Sequence, residues 1–204
     1  MKSAPASLET EIKLRLRPGE PIHHALRQLG FRVAVPRRFE DNFIFDFEDG
    51  RLTRAGLLLR LRRENGRCLL TLKGPPRPAR RYKVRPEMEV EMSEETARRL
   101  RLMLRAAGLH EIFRYQKFRT TYAAASRRGG CSERIFWDET PIGDYVEIEG
   151  TRRGIDRIAR RLRRKPADYI TASYGKLYLE VCQRPGVRPG NMVFSRARRV
   201  KRKS

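Results

Sequence analysis

Apolar and polar positions alternate with a period of two through much of this chain, the signature of strands with one buried face. In residues 8–16, LETEIKLRL, Glu9, Glu11, Lys13 and Arg15 fall on one side, and Thr10, Ile12, Leu14 and Leu16 on the other. Residues 57–63 set Arg60 and Arg62 against Leu57, Leu59 and Leu61. After an Asn65-Gly66 hairpin turn, residues 68–73 set Thr71 and Lys73 against Cys68, Leu70 and Leu72. Residues 84–92 set Arg85, Glu87, Glu89 and Glu91 against Val84, Met88, Val90 and Met92. Pro86 has no N–H to give to a ladder, so regular pairing is expected to begin after it, or the strand to lie at a sheet edge there. Further strands are predicted at 41–47, 115–122, 134–138 (after a Gly129-Gly130 turn) and 144–149.

Helical spacing interrupts this pattern. Residues 21–29 are amphipathic and stop at Gly30. Residues 94–107 follow Ser93, a candidate N-cap, and end at Gly108. Residues 154–164 place Ile155, Ile158, Ala159 and Leu162 on one face, and 167–182 read as a last helix begun after Pro166.

The expected fold is α+β. Most strands carry ions of both signs on one face, with few of the Thr, Ser and Gln residues of a merely solvated face. If the apolar faces pack against the helices, the charged faces must share an interior, where ions need partners or a ligand. An eight-stranded antiparallel β-barrel with a polar lumen and helices outside satisfies this and leaves no sheet edge. Phe43, Phe45, Phe118 and Trp137 fall on the apolar faces and read as core. Residues 1–192 are expected to form one domain. Residues 193–204, ending SRARRVKRKS, read as a basic, disordered tail.

Composition narrows the chemistry. The chain has 204 residues, with 47 Lys and Arg against 24 acids, a net charge of +23. That field favours polyanions such as polyphosphate, nucleotides or nucleic acid, with nucleic acid and polyphosphate the candidates for the basic tail. No run is long enough to cross a bilayer as a helix and no secretion signal is legible, so a cytoplasmic protein is expected. Cys68, Cys131 and Cys182 form no CxxC pair, and the histidines form no HExxH pattern.

The carboxylates are more informative. Glu9 and Glu11 are two residues apart on a strand, so both point the same way, about 7 Å apart. Glu147 and Glu149 repeat the arrangement after Asp138, and Glu87 and Glu89 add a third acidic line. Hard oxygen donors of this kind suit Mg²⁺ or Mn²⁺. Lys13, Arg60, Arg62, Lys73, Arg85, Lys117 and Arg119 share faces with these acids, and Arg and Lys are the phosphate-binding side chains. A polyphosphate substrate with one or two metals would satisfy both signs.

Glu9-x-Glu11-x-Lys13 resembles the ExExK signature of the CYTH, or triphosphate tunnel metalloenzyme, superfamily. Further elements follow in that family's order: Leu59-Arg60-Leu61-Arg62, Leu70-Thr71-Leu72-Lys73-Gly74, Arg85-x-Glu87-x-Glu89, Lys117-x-Arg119-x-x-Tyr122, Asp138, Gly143-x-Tyr145-x-Glu147-x-Glu149, and Ser173-Tyr174. Pro86 and the basic tail depart from it. The resemblance implies an antiparallel tunnel that binds triphosphates with Mg²⁺ or Mn²⁺. It also implies an activity among tripolyphosphatase, thiamine triphosphatase, nucleoside or RNA triphosphatase and class IV adenylate cyclase.

The expected function is metal-dependent hydrolysis of a triphosphate, with inorganic tripolyphosphate preferred. Lys13, Arg60, Arg62, Lys73, Lys117 and Arg119 would clamp phosphates, joined by Arg85. Glu9, Glu11, Asp138, Glu147 and Glu149 would hold metal, with Glu87 and Glu89 contributing, and water would attack the terminal phosphorus in line. Two rivals stand beside it: a class IV adenylate cyclase using the same cage, and a non-catalytic polyphosphate- or RNA-binding protein.

Overall fold

The computed structural model describes residues 7–125, 133–183 and 188–195. Eight antiparallel strands close into a barrel in the order β1-β5-β4-β3-β2-β6-β7-β8. They are β1 (Ser7–Arg15), β2 (Phe31–Phe47), β3 (Leu58–Glu64), β4 (Arg67–Lys73), β5 (Lys83–Ser93), β6 (Leu109–Ala124), β7 (Arg134–Thr140) and β8 (Gly143–Glu149). The helices are α1 (Ile22–Gln28), α2 (Arg51–Arg54), α3 (Glu94–Ala106), α4 (Arg152–Arg161) and α5 (Tyr174–Cys182). The α+β barrel expected from the alternation is the fold observed. The Gly129-Gly130 turn and residues 196–204 lie outside the described residues.

Alternation puts the apolar faces outward, where helices cover much of them, while Leu8 of β1, Met88 and Val90 of β5 and Ile112 of β6 stay exposed. Ile12 and Leu14 of β1, Ile135 of β7 and Val146 and Ile148 of β8 pack with Ile155, Ile158 and Ala159 of α4 and Leu26 of α1. Phe43 and Phe45 of β2, Leu61 of β3 and Cys68 of β4 pack with Ala97 of α3. A third cluster, Tyr115, Tyr145, Tyr174, Leu177 and Met192, packs β6 and β8 against α5. Phe43 and Phe45 are thus core, as expected; Trp137 packs against the first cluster, and Phe118 packs at a tilt against Phe39 and Phe194.

Three expectations need correction. Pro86 does precede the ladder with β4, which begins at Lys73 opposite Glu87, but on its other side it lies inside β5, paired opposite Leu8 of β1. Its carbonyl accepts from Gly74 N, one residue past the end of β4. In a strand a residue's N and C=O point to the same side. The missing N–H therefore faces the Gly74 loop rather than a neighbouring strand, and no ladder bond is lost. Strands β2 and β6 extend well beyond 41–47 and 115–122, and their long pairing tolerates irregular register around Val35. The predicted helix 167–182 is a 3₁₀ turn at Pro166–Asp168, an extended stretch, and then α5, capped by Ser173. Backbone bonds between Ile170 and Lys13 explain the interruption, because Ile170 takes up the β1 edge where β5 has ended. Past residue 192, Phe194 is buried, its ring against Phe118 and its N–H donating to Gln116.

Candidate functional site

The inward faces of the strands line a cavity of about 1090 Å³ that runs into the barrel. The sequence-predicted residues Glu9, Glu11, Lys13, Arg60, Arg62, Lys73, Arg85, Glu87, Glu89, Lys117, Arg119, Glu147 and Glu149 all line it. Strand alternation and register bring them together. Lys13 lies opposite Glu147 across the β1–β8 pair, Glu11 opposite Glu149, and Lys73 opposite Glu87 across β4–β5.

The lumen is a closed network of ion pairs. Lys13 Nζ lies 3.0 Å from Glu11 and 3.1 Å from Glu147. Burial alone would lower this ammonium's pKa, but the two carboxylates raise it above the ordinary lysine value. Arg119 grips Asp138 at 2.6 Å and reaches Glu147 at 3.1 Å. Lys117 bonds Asp138 at 3.0 Å, and the Tyr174 hydroxyl donates to the same carboxylate at 2.7 Å. Lys73 lies 2.5 Å from Glu87 and 3.4 Å from Glu9. Arg60 donates to Thr71 at 3.1 Å and stands 3.8 and 3.7 Å from Glu87 and Glu89.

Two of the predicted residues are placed differently from the rest. Asp138 is fully buried and does not line the cavity; Lys117, Arg119 and Tyr174 occupy its oxygens. Arg85 lines the cavity but turns its guanidinium to the backbone oxygens of Gly74 and Gly56, each at 2.6 Å.

Sequence reading missed Glu40, Lys83 and Tyr174 as site residues. Glu40 is 2% exposed and sits among Lys117, Arg62 and Arg119 at 3.4 to 3.9 Å. Burial pushes its pKa up, and these cations with Arg60 pull it down to about 2. Lys83 pairs with Glu11 at 2.7 Å. Inward alternation from Ile44 back to Glu40 is the signal, and the predicted strand 41–47 stops short of it.

Charge is unevenly balanced. Glu11 and Glu147 would be raised by burial, yet surrounding lysines bring Glu11 down to about 2, and Lys13 and Arg119 hold Glu147 well below the carboxylate range. Glu9 goes the other way, pushed to about 8 by burial and by its hydrogen bond with Glu87. Burial, with Glu147 and Glu11 nearby, also raises Glu149. Glu9 and Glu149 are therefore carboxylates whose negative charge the protein's own cations do not fully meet. Their oxygen donors fit a hard divalent cation. Among the described residues no three ligating side chains are already gathered into a metal cluster, so phosphate oxygens and water would have to complete the shell.

Part of the cavity wall differs in character. Ile44, Leu57, Leu58, Phe113, Tyr115 and Tyr178 line it with apolar and aromatic surface.

Comparison with known proteins agrees with this geometry. The CYTH domain family profile matches residues 7–174. A Methanocaldococcus jannaschii protein called "Putative adenylate cyclase MJ0240" is 27% identical over 142 residues, 70% of this chain and 76% of its own. The fold resembles a "putative adenylate cyclase" structure from Vibrio parahaemolyticus, with TM-score 0.69 and 20% identity over 85% of this chain and 99% of that one. It also resembles HpAC1 from Hippeastrum, for which a dominant triphosphatase activity is described, with TM-score 0.64 and 18% identity over 87% and 98% of the two chains. With a tunnel of paired acids and cations, and a family match that spans every strand of it, this chain belongs to the CYTH domain family.

Proposed function

We propose that the tunnel binds a triphosphate together with Mg²⁺ or Mn²⁺ and hydrolyses its terminal phosphoanhydride, inorganic tripolyphosphate being the preferred substrate. One observation supports this most: Lys13, Arg60, Arg62, Lys73, Lys117 and Arg119 face a single cavity, each held by a lumenal carboxylate. Such a network is pre-aligned for a polyanion. Phosphate oxygens replace carboxylate oxygens as partners of the cations, and the freed carboxylates become available to a metal. The bound metal would supply charge neutralisation and a more acidic water.

The residues divide by role. Lys13, Arg60, Arg62, Lys73, Lys117 and Arg119 orient the phosphates and stabilise charge on the equatorial oxygens. Glu9, Glu11 and Glu149, with Glu147 and Glu87, are the donors that would hold metal, Glu89 standing further out. Asp138 is better suited to positioning than to metal binding, because two cations and a hydroxyl already use its oxygens. Arg85 braces the Gly56 and Gly74 loops behind Lys73.

A second reading has its own observation. The apolar part of the cavity wall could hold the organic part of a nucleotide, and the same cage would then serve a cyclase in which a ribose hydroxyl displaces pyrophosphate. Incubation with tripolyphosphate and with ATP, each with Mg²⁺ or Mn²⁺, followed by product separation, decides between them. Hydrolysis of tripolyphosphate to phosphate and pyrophosphate faster than any ATP conversion is expected. Dominant formation of cyclic AMP and pyrophosphate would replace the triphosphatase reading. Binding of both without turnover would favour a polyphosphate or RNA receptor.

A further inference from the structure

Outside the tunnel, eight of the fourteen residues 152–165 are Arg or Lys, against one acid, Asp156. Helix α4 separates its two faces sharply. Ile155, Ile158 and Ala159 are buried against the barrel, and Arg152, Arg153, Arg157, Arg160 and Arg161 are exposed. Arg163 and Lys165 continue the exposed face past the helix end.

The acids near this face are already engaged. Asp156 accepts hydrogen bonds from Tyr82 and Tyr169. Glu20 pairs with Arg164, and Glu133 with Arg157. Among the described residues, the side chains of Arg153, Arg160, Arg161 and Arg163 have no carboxylate partner, while the backbone N–H of Lys165 donates to Asp168. Neighbouring segments extend the positive surface: Arg152 stacks on Tyr82, which follows the exposed Arg80 and Arg81. At the other end, the Glu20 that binds Arg164 also accepts from Arg17 N.

We infer that the outer face of α4 is a docking ridge for the phosphate backbone of double-stranded nucleic acid, read without regard to sequence. Three features select this partner. The arginines stand on a rigid helix at i, i+4 spacings of about 6 Å and span about 12 Å from Arg153 to Arg161, so they can track a regular line of phosphates. A membrane surface is disfavoured because the apolar side of α4 is used up in the core, leaving nothing to insert. A single strand would call for exposed aromatic platforms, and the tyrosines here, Tyr82 and Tyr169, are tied to Asp156.

The test uses the full chain, so that the basic C-terminus is constant throughout. Binding of a labelled duplex of about 20 base pairs, two helical turns, is measured across a salt series. The variant carrying Arg153→Gln, Arg160→Gln and Arg161→Gln should bind at least about tenfold more weakly, with a salt slope smaller by about 2 to 3, since each lost phosphate contact removes roughly 0.9 from it. Its thermal melt should match that of the parent. A control with the same charge change on α3, Arg98→Gln, Arg99→Gln and Arg105→Gln, should bind almost as the parent does. Unchanged affinity and slope in the α4 variant would overturn the ridge. So would an equal loss in the α3 control, which would mean net charge alone. Tighter binding of a single strand, or of inorganic polyphosphate of matched charge, through the same arginines would overturn the choice of partner.

Discussion

The hydroxyl of Tyr174, the first residue of α5, donates a 2.7 Å hydrogen bond to Oδ2 of Asp138 inside the barrel. The same ring lies 5.4 Å from Lys13 Nζ and 5.3 Å from Lys117 Nζ, so one side chain touches both sides of the charge network. Tyr174→Phe keeps the ring and removes only the bond. A buried hydrogen bond to a charged group contributes about 1.5–3 kcal/mol. The variant should lose roughly that stability in thermal or denaturant unfolding, and its turnover should fall severalfold as Lys117 and Arg119 lose their fixed anchor. A variant with parental stability and rate would show that the contact positions nothing.

Glu147 is shared by Lys13 and Arg119. Glu147→Gln keeps the volume but leaves two buried cations under-compensated, a loss of the order of 3 kcal/mol for a buried pair. If the same displacement is felt at the reaction centre, turnover falls by about 100-fold. Circular dichroism should show the barrel retained. Because the lumen becomes more positive, tripolyphosphate should raise the melting temperature of this variant more than that of the parent. An intact rate at limiting Mg²⁺ or Mn²⁺ would remove Glu147 from the site.

The raised pKa of Glu9, about 8 through burial and then its bond with Glu87, gives the metal-free protein a definite pH response. The folded state holds this proton more tightly than the unfolded chain. The associated stability is complete below the unfolded carboxylate pKa of 4.5 and is lost as pH rises toward 8. Metal must displace the proton, so metal affinity rises over the same interval and levels off above it. Thermal shifts with Mn²⁺ at pH 6 and pH 9 should therefore differ, with the larger stabilisation at the higher pH. Glu9→Gln should flatten the difference, and a pH-independent shift in the parent would contradict the assignment.

Gly74 follows Lys73 at the end of β4, and a Cβ there would stand 2.4 Å from Pro86 Cγ. Gly74→Ala therefore forces the β4 end away from β5. Overpacking of this kind costs about 1–3 kcal/mol. Melting temperature should drop, and KM for the triphosphate should rise more than kcat falls, because Lys73 moves with the strand end. Unchanged stability would mean that the Pro86 ring yields freely.

The period-two alternation determined a good deal by itself. Eight strands, their inward charges and the outward cores around Ile12, Phe43 and Val146 follow from side chains pointing to opposite faces of successive residues. The order of paired motifs, from Glu9-x-Glu11-x-Lys13 to Glu147-x-Glu149, was enough to place them in one tunnel. Local signals could not say where a ladder ends or which ion meets which. Pro86 is harmless only because β4 stops at Lys73, a fact of the neighbouring strand. Residues 169–173 are not helical because Ile170 finds an open edge at Lys13. Asp138 and Glu147 look alike as acids near the end of the sequence, yet one is enclosed by Lys117, Arg119 and Tyr174 while the other faces the cavity. Glu9 and Glu11 are equivalent in the ExExK pattern, and the folded barrel separates them: lysines crowd Glu11, and Glu9 shares a proton with Glu87. Alternation fixes the face a residue occupies. Its partners come from register across strands distant in sequence, and with ions in a poorly solvated lumen those partners set the charge each one carries.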